Sequence, residues 1–345
     1  MRSTRRLASL GLVFAVDICV ISAALAQSTR PSEFFANREV RLVIGQEPGT
    51  TYDIYARQVT RYMAKHLPAK VNFIAVNMPG AGSVVALNHL YNNAAKDGSA
   101  IGAINPGAVV VSILRPETAF YDSRKFNWIG SVARETEVIV VRHDAPVRSL
   151  ADVLRTEVIV GGTGGASSAL PTMLNGVIGT KFKVVSGYKG STDVFLAMQR
   201  GEVDGIGSTT LTNLQTTQAD LLKSNQIRII GQYGLSPDAT LPGVATVMDL
   251  VTEPDQRDAF RLILTRQELG RVLLAPPDVP PEIVAAYRAA FNASMADAEF
   301  RAEVAARKMD FDPQTASQLE PLIADLYKAP LHVVEKVRDI LGARN

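Results

Sequence analysis

Cysteine is almost missing from this chain, with Cys19 its only representative. That excludes a disulfide framework and any cysteine-based zinc site. Long apolar runs are missing as well: no stretch of 18 or more uncharged apolar residues occurs, so no segment is expected to span a membrane. Histidine is sparse. His66, His89, His143 and His332 lie far apart and share no metal-ligand spacing, and His66 and His332 read as surface or helix-face residues. There is no G-x-S-x-G elbow, no Walker A lysine and no visible pairing of a nucleophile with a base. A hydrolase therefore stays only as a weak alternative. Gly162-x-Gly164 follows an expected strand, as a dinucleotide-binding turn would, but the next strand, Phe182–Ser186, ends without the acidic residue a ribose needs.

What is present is an ordinary folding composition. The chain has 345 residues, 47% of them hydrophobic and 20% charged, which suits two domains and excludes a disordered or collagen-like chain. Arg2, Arg5 and Arg6 precede an apolar stretch from Leu7 to Leu25, interrupted by Asp17 and closed by Ala24-Leu25-Ala26. These are the three parts of a secretory signal peptide, so residues 1–26 are expected to be removed and the protein to reach the periplasm. The sequence leaves general secretion and the twin-arginine route both open. Removal takes three arginines and one aspartate from a chain of formal charge +2 and leaves it neutral. No basic excess remains to attract nucleic acid or anionic lipid. The mature chain also has no cysteine, in keeping with an oxidising compartment.

Short β-branched runs alternate with helical patterns. Val40–Ile44, Val71–Val76, Val138–Val141, Glu157–Val160, Phe182–Ser186 and Ile227–Ile230 read as buried strands, and Asp53–Leu67 reads as a helix. Ser191 is expected to cap a helix that Gly201 ends. Ser149 and Asp152 have capping-box spacing, and Pro281 fits the first position of a helix over Glu282–Met295. The alternation predicts an α/β fold with mainly parallel sheets. No long polar linker separates the halves, so the chain is expected to cross between two lobes more than once, at Gly130–Glu137 and Gly231–Asp238. Lobe 1 would comprise residues 27–136 and 236–345, and lobe 2 residues 137–235. The last hundred residues read as mostly helical and return to cover lobe 1.

Three glycine-rich turns carry the candidate chemistry. They are Gln46-Glu47-Pro48-Gly49-Thr50-Thr51-Tyr52-Asp53, Pro79-Gly80-Ala81-Gly82-Ser83, and Gly161-Gly162-Thr163-Gly164-Gly165-Ala166-Ser167-Ser168. Each lies between a strand and a helix, where backbone N–H groups and a helix N-terminus attract anions. A hydrogen bond to a charged acceptor contributes about 1.5–3 kcal/mol. Three or four such bonds from facing turns reach micromolar affinity, about −8 kcal/mol, with no arginine required. For each turn alone, a tight connection needing glycine for positive φ is the alternative.

In order, the motifs resemble one family. They are Val40-Arg41-Leu42-Val43, Pro48-Gly49-x-x-Tyr52-Asp53-x-Tyr55-Ala56-Arg57, Asn77-Met78-Pro79-Gly80-Ala81-Gly82 and Lys96-Asp97-Gly98, then the turn at 161–168 and Tyr188-Lys189-Gly190-Ser191. Gly201-Glu202-Val203-Asp204, Leu241-Pro242-Gly243-Val244 and Ala275-Pro276-Pro277-Asp278-Val279-Pro280 complete the set. From about Phe34 onward the chain is similar to the extracytoplasmic solute receptors of the tripartite tricarboxylate transporter family, the Bug-type periplasmic binding proteins. The resemblance implies a two-lobed periplasmic binding protein fold, type II-like, that closes on a small organic acid and hands it to membrane permease subunits. A sensor for a membrane signalling protein is the second reading. It further implies a monomer with no cofactor, no metal and no nucleic-acid partner. By the same resemblance Gly49, Thr50 and Thr51 hold the ligand from lobe 1, with Asp53 ordering that turn. Thr163, Gly164, Gly165, Ala166 and Ser167 hold it from lobe 2, where Asp204 joins the set. Ser167→Tyr is expected to block that turn without unfolding the protein. Thr50 and Thr51 stand where the family usually has glycine, Glu47 where a neutral residue is usual, and Leu170 where a histidine is frequent.

Overall fold

The computed structural model describes residues 30–163 and 165–342. The signal segment, its cleavage site and Gly164 lie outside the described residues. Among the described residues, eleven strands form two sheets. The strands are β1 (Arg38–Ile44), β2 (Val71–Asn77), β3 (Ala100–Ile104), β4 (Asn127–Ser131), β5 (Glu137–Arg142), β6 (Val158–Gly162), β7 (Phe182–Ser186), β8 (Gly205–Thr210), β9 (Ile227–Tyr233), β10 (Val272–Ala275) and β11 (Gln314–Thr315). The first sheet has the order β11-β4-β10-β3-β1-β2 and the second β7-β6-β8-β5-β9.

Both sheets are mixed rather than mainly parallel. β1 runs parallel to β2 and β3, but β10 runs antiparallel to β3 and β4. β6 runs parallel to β7 and β8, but β5 runs antiparallel to β8 and β9. The crossings explain this. β4 ends at the junction between the sheets, and β5 starts from that junction, so β5 must run away from it. β10 likewise starts there after the chain has returned. In each sheet the strand that enters from the junction therefore opposes the strands that end at it.

Five strands, β3, β4, β8, β10 and β11, are not among the runs read as strands from sequence. β3 and β10 are buried along their whole length, so no polar alternation marks them. Gly130 in β4 lies under the ring of Phe291, where any side chain would collide. Glycine weakens a strand pattern in sequence yet is what lets a helix pack this closely.

Local signals fare better. The first long helix spans Thr51–His66, and a helix begins at Pro281 and runs to Ala296. Ser149 and Asp152 form their reciprocal capping box, on a five-residue 3₁₀ turn, Leu150–Leu154. Ser191 is not a cap. It is the first residue of the helix Ser191–Gln199, Gly190 precedes it, and its hydroxyl accepts from Asn213 Nδ2 at 3.2 Å.

The apolar interior has three parts. Phe35, Tyr62, Tyr287, Phe291 and Phe300 fill one face of the first sheet. Val138, Phe195, Met198 and Leu214 fill one face of the second. The third part is continuous through both sheets, joining Trp128, Phe260 and Leu319 to Ile139, Met173 and Leu174. The helices Pro254–Leu269 and Leu331–Ile340 make that join by packing against the helix Ala166–Ile178. Gln256 Nε2 donates to Val177 O at 3.2 Å, and Ile340 lies against Gly176. The C-terminal helices thus cover the first sheet as expected and reach the second as well.

Candidate functional site

β1, β3 and β4 end at the junction from one side, and β6, β8 and β9 from the other. Open α/β sheets bind ligands beyond their strand C-termini, so the turns following β1, β2, β3 and β6 face one gap.

The turn after β1 is built around Asp53, which is 4% exposed. Its Oδ2 accepts from Gly49 N at 2.9 Å, and its Oδ1 accepts from Asn77 Nδ2 at 2.9 Å and Arg57 Nε at 2.8 Å. Burial raises the carboxyl pKa, but these three donors outweigh it and hold the group below its ordinary value. Asp53 therefore orders the turn from within. Thr50 caps the helix, accepting from Asp53 N. Its φ of −70° is unstrained because Gly49, at φ 79°, takes the left-handed position. The threonines in place of glycine thus cost the turn nothing. Glu47 is exposed, and its carbonyl, not its carboxylate, is engaged, by Thr50 Oγ1 at 2.8 Å.

The turn after β2 does something the sequence did not suggest. Ser83 is fully buried at φ 82°, in a conformation that disfavours a side chain. Its Oγ donates to Gly45 O at 2.8 Å and accepts from Gln46 Nε2 at 3.1 Å and Asn105 N at 3.0 Å. One hydroxyl thereby ties together the turns after β1, β2 and β3. Strain of about 1–3 kcal/mol at such a φ persists only where the surroundings impose it.

In the turn after β6, Thr163 N donates to Ser167 Oγ at 2.9 Å, and the two hydroxyls lie 3.0 Å apart. The helix Ala166–Ile178 starts from Gly165, at φ 54°, with no side-chain cap. Thr163 and Gly165 are exposed, whereas Ser167 is 7% exposed. A tyrosine at 167 would not be accommodated in place, contrary to the expectation from sequence. Leu170, one turn into this helix, lies in the core.

The structure does not bring Asp204 to this set. It precedes β8 at the end of the second sheet remote from the junction. Its Oδ2 accepts from Ile159 N at 2.9 Å, and its backbone pairs with β6 and Arg142. It ties strands together.

Sequence reasoning missed the charges at the junction itself. Glu135 and Glu137 sit on the β4–β5 crossing, and Arg266 and Arg271 flank the return to β10. Arg271 Nη2 donates to Glu135 Oε1 at 3.0 Å, and its guanidinium stacks 4.2 Å over the Tyr52 ring. Tyr52 OH donates to Glu135 Oε2 at 3.1 Å, and burial with that carboxylate pushes the phenol pKa well up. Arg266 Nη2 donates to Glu137 Oε1 at 3.3 Å, and Ser208 Oγ donates to Glu137 Oε2. Burial raises the Glu137 carboxyl above its usual range despite Arg266. Gly270 makes the crossing possible, because a side chain there would strike the Ala133 carbonyl. The only signal in sequence was the crossing segment itself.

Beside the same crossing lies a cavity of about 450 Å³. Glu135, Asp238, Glu268, Asp310 and Asp312 line it against the single cation Arg134 among the described residues. Such a lining repels an anion. The arginine-bearing side, next to Tyr52 and the helix N-termini, suits one.

Two mixed α/β sheets joined by paired crossings give the fold of two-lobed periplasmic binding proteins. The chain belongs to the family described as "Tripartite tricarboxylate transporter family receptor", whose pattern matches residues 55–338. This is a family of receptors, not of enzymes. A curated relative from Agrobacterium vitis, "UPF0065 protein in the TAR-I ttuE-ttuC' intergenic region", is 28% identical over 232 residues, 65% of this chain. The chain spans 63% of that relative's length. Among solved structures, a TctC solute binding protein from Polaromonas is 17% identical with a TM-score of 0.66, covering 89% of this chain and 99% of its own. MatC from Rhodopseudomonas palustris, solved with bound malate, is 21% identical with a TM-score of 0.58, covering 88% of this chain and 99% of its own.

Proposed function

We propose that the protein captures a small organic carboxylate in the gap between its two sheets and delivers it to a tripartite tricarboxylate-type permease. The observation that carries this is the convergence of turns. The strands before the turns after β1, β2, β3 and β6 all run toward the junction between the sheets, and beside it Arg266 is paired with Glu137. The malate held by the related MatC supports the same ligand class. In this reading residues 1–26 are removed, the mature chain works as a periplasmic monomer, and two lobes, 27–136 with 236–345 and 137–235, approach each other on ligand. Gly49, Thr50, Thr51, Thr163, Gly164, Gly165, Ala166 and Ser167 contact the ligand from the two sides. A closed state that gains contacts from both lobes is the one a ligand favours.

Calorimetric titration of the mature protein with malate, adipate, citrate and glutamate tests this. Saturable binding of at least one of them near one to one is expected, with a smaller radius of gyration in solution scattering when bound. No binding across the panel would overturn the reading.

A further inference from the structure

The residue that reads the ligand's charge is visible if the carboxylate reading above is accepted. We infer that Arg266 is the charged contact for a ligand carboxylate, and that Glu137 is its placeholder, holding the guanidinium in position until the ligand takes it over.

Three observations carry this. First, the two arginines of the junction differ in access. The Arg271 side chain is 7% exposed and closed in by Glu135, Tyr52 and Tyr55, whereas that of Arg266 is 23% exposed. Second, Arg266 is underused. A guanidinium has five donors in a fork that matches a carboxylate bidentately. Arg266 spends only Nη2, on Glu137, and among the described residues Nε and Nη1 make no hydrogen bond. The 3.3 Å separation is longer than the 3.0 Å of Arg271 with Glu135 and than the 2.7–2.9 Å usual for charge-assisted bonds. Third, Nη1 is turned toward the start of the helix Gly107–Leu114. A Cβ added at Gly107 would lie 4.0 Å from it, and the neighbouring Asn105 Oδ1 accepts from Gly107 N at 2.8 Å and, among the described residues, makes no bond to the guanidinium.

Glu137 fits the role of a placeholder. Its side chain is 4% exposed and pinned by the Ser208 hydroxyl, so it stays put when Arg266 turns. Arg266 comes from the helix Pro254–Leu269 that covers the first sheet, and Glu137 begins the second. The exchange therefore loosens a contact between the two sheets while the ligand forms a new one.

The test uses calorimetry on the mature protein with malate and with 3-hydroxybutyrate, which keeps the hydroxyl and one carboxylate. Arg266→Gln should weaken malate about tenfold to a hundredfold and change 3-hydroxybutyrate less than about threefold. Glu137→Gln keeps the shape, frees the guanidinium and should tighten malate about threefold or more. That sign separates a placeholder from a merely structural pair, for which both substitutions weaken binding alike. Unchanged malate binding in Arg266→Gln, or unchanged or weaker binding in Glu137→Gln, overturns the inference while leaving the carboxylate reading intact. Wild-type protein that binds no carboxylate overturns both. If Arg266→Gln fails to fold, as circular dichroism would reveal, Glu137→Gln alone decides.

Discussion

The turn after β1 and the turn after β6 use the same backbone device with different side chains. In the first, Gly49 N donates to Asp53 Oδ2, four residues on, at 2.9 Å. In the second, Thr163 N donates to Ser167 Oγ, four residues on, at 2.9 Å. Both acceptors are buried in the first turn of a helix. One is a carboxylate and the other a hydroxyl. The carboxylate sits where an external anion would be stabilised by the helix dipole, so the first turn is already neutralised by its own chain. The hydroxyl orders the second turn without adding charge. The same fold element is therefore held by a charged acceptor in one half and by a neutral one in the other.

Exchanging the two side chains breaks this comparison. Asp53→Ser should cost the most stability, about 2–3 kcal/mol by denaturant unfolding, because Asn77 and Gly49 lose a buried charged acceptor. Its effect depends on pH. Asp53 is held below its ordinary value of 3.8, so its contribution is fully present above that value and is lost as pH falls through the depressed folded one. Wild type and Asp53→Ser should differ at pH 7 and converge as the pH drops below about 4. A constant difference over that range would mean that shape, not charge, sets the effect.

Ser167→Asp performs the opposite exchange. It should leave stability within about 1 kcal/mol, since the Thr163 N–H keeps an acceptor at a helix N-terminus. Malate affinity should fall about tenfold or more, from placing a like charge within about 5 Å of the ligand. Unaltered affinity would show that the β6 turn does not meet the anion. Glu47→Gln is the smallest change and sharpens the picture of the first turn. Glu47 is exposed and its carboxylate makes no hydrogen bond among the described residues, so stability should move less than about 0.5 kcal/mol. Malate affinity should move less than about twofold, a solvated charge being well screened. A selective gain for citrate over malate would instead place that charge at the site.

The turns were legible in sequence because their cause is local. Glycine, hydroxyl and aspartate spacings over eight residues determine φ, cap and hydrogen bond together, and Asp53 takes the role that the family resemblance implied. The strands β1, β2, β5, β6, β7 and β9 were legible for the same reason, through short β-branched runs. Arg266 and Glu137 were not, because they are 129 residues apart and meet only where two sheets abut. Nothing in the spacing around either one marks it. Ser83 escaped notice for a different reason. A serine after Gly-x-Gly reads as a loop residue, and only the three partners on other loops show why it is buried at positive φ.

The core that runs through both sheets bears on the order in which the chain can mature. One face of the second sheet is sealed by the helix Ala166–Ile178, and the outer side of that helix is closed in turn by Gln256 and by the helix Leu331–Ile340. Val333, Val334 and Val337 are the buried residues of that last helix. A chain synthesised from its N-terminus has the whole of 137–233 available long before Leu331 emerges, yet cannot finish covering it. Apolar surface on the helix Ala166–Ile178 stays uncovered until the final turns arrive. Covering of that helix is thereby deferred until the segment Leu331–Ile340 has been made.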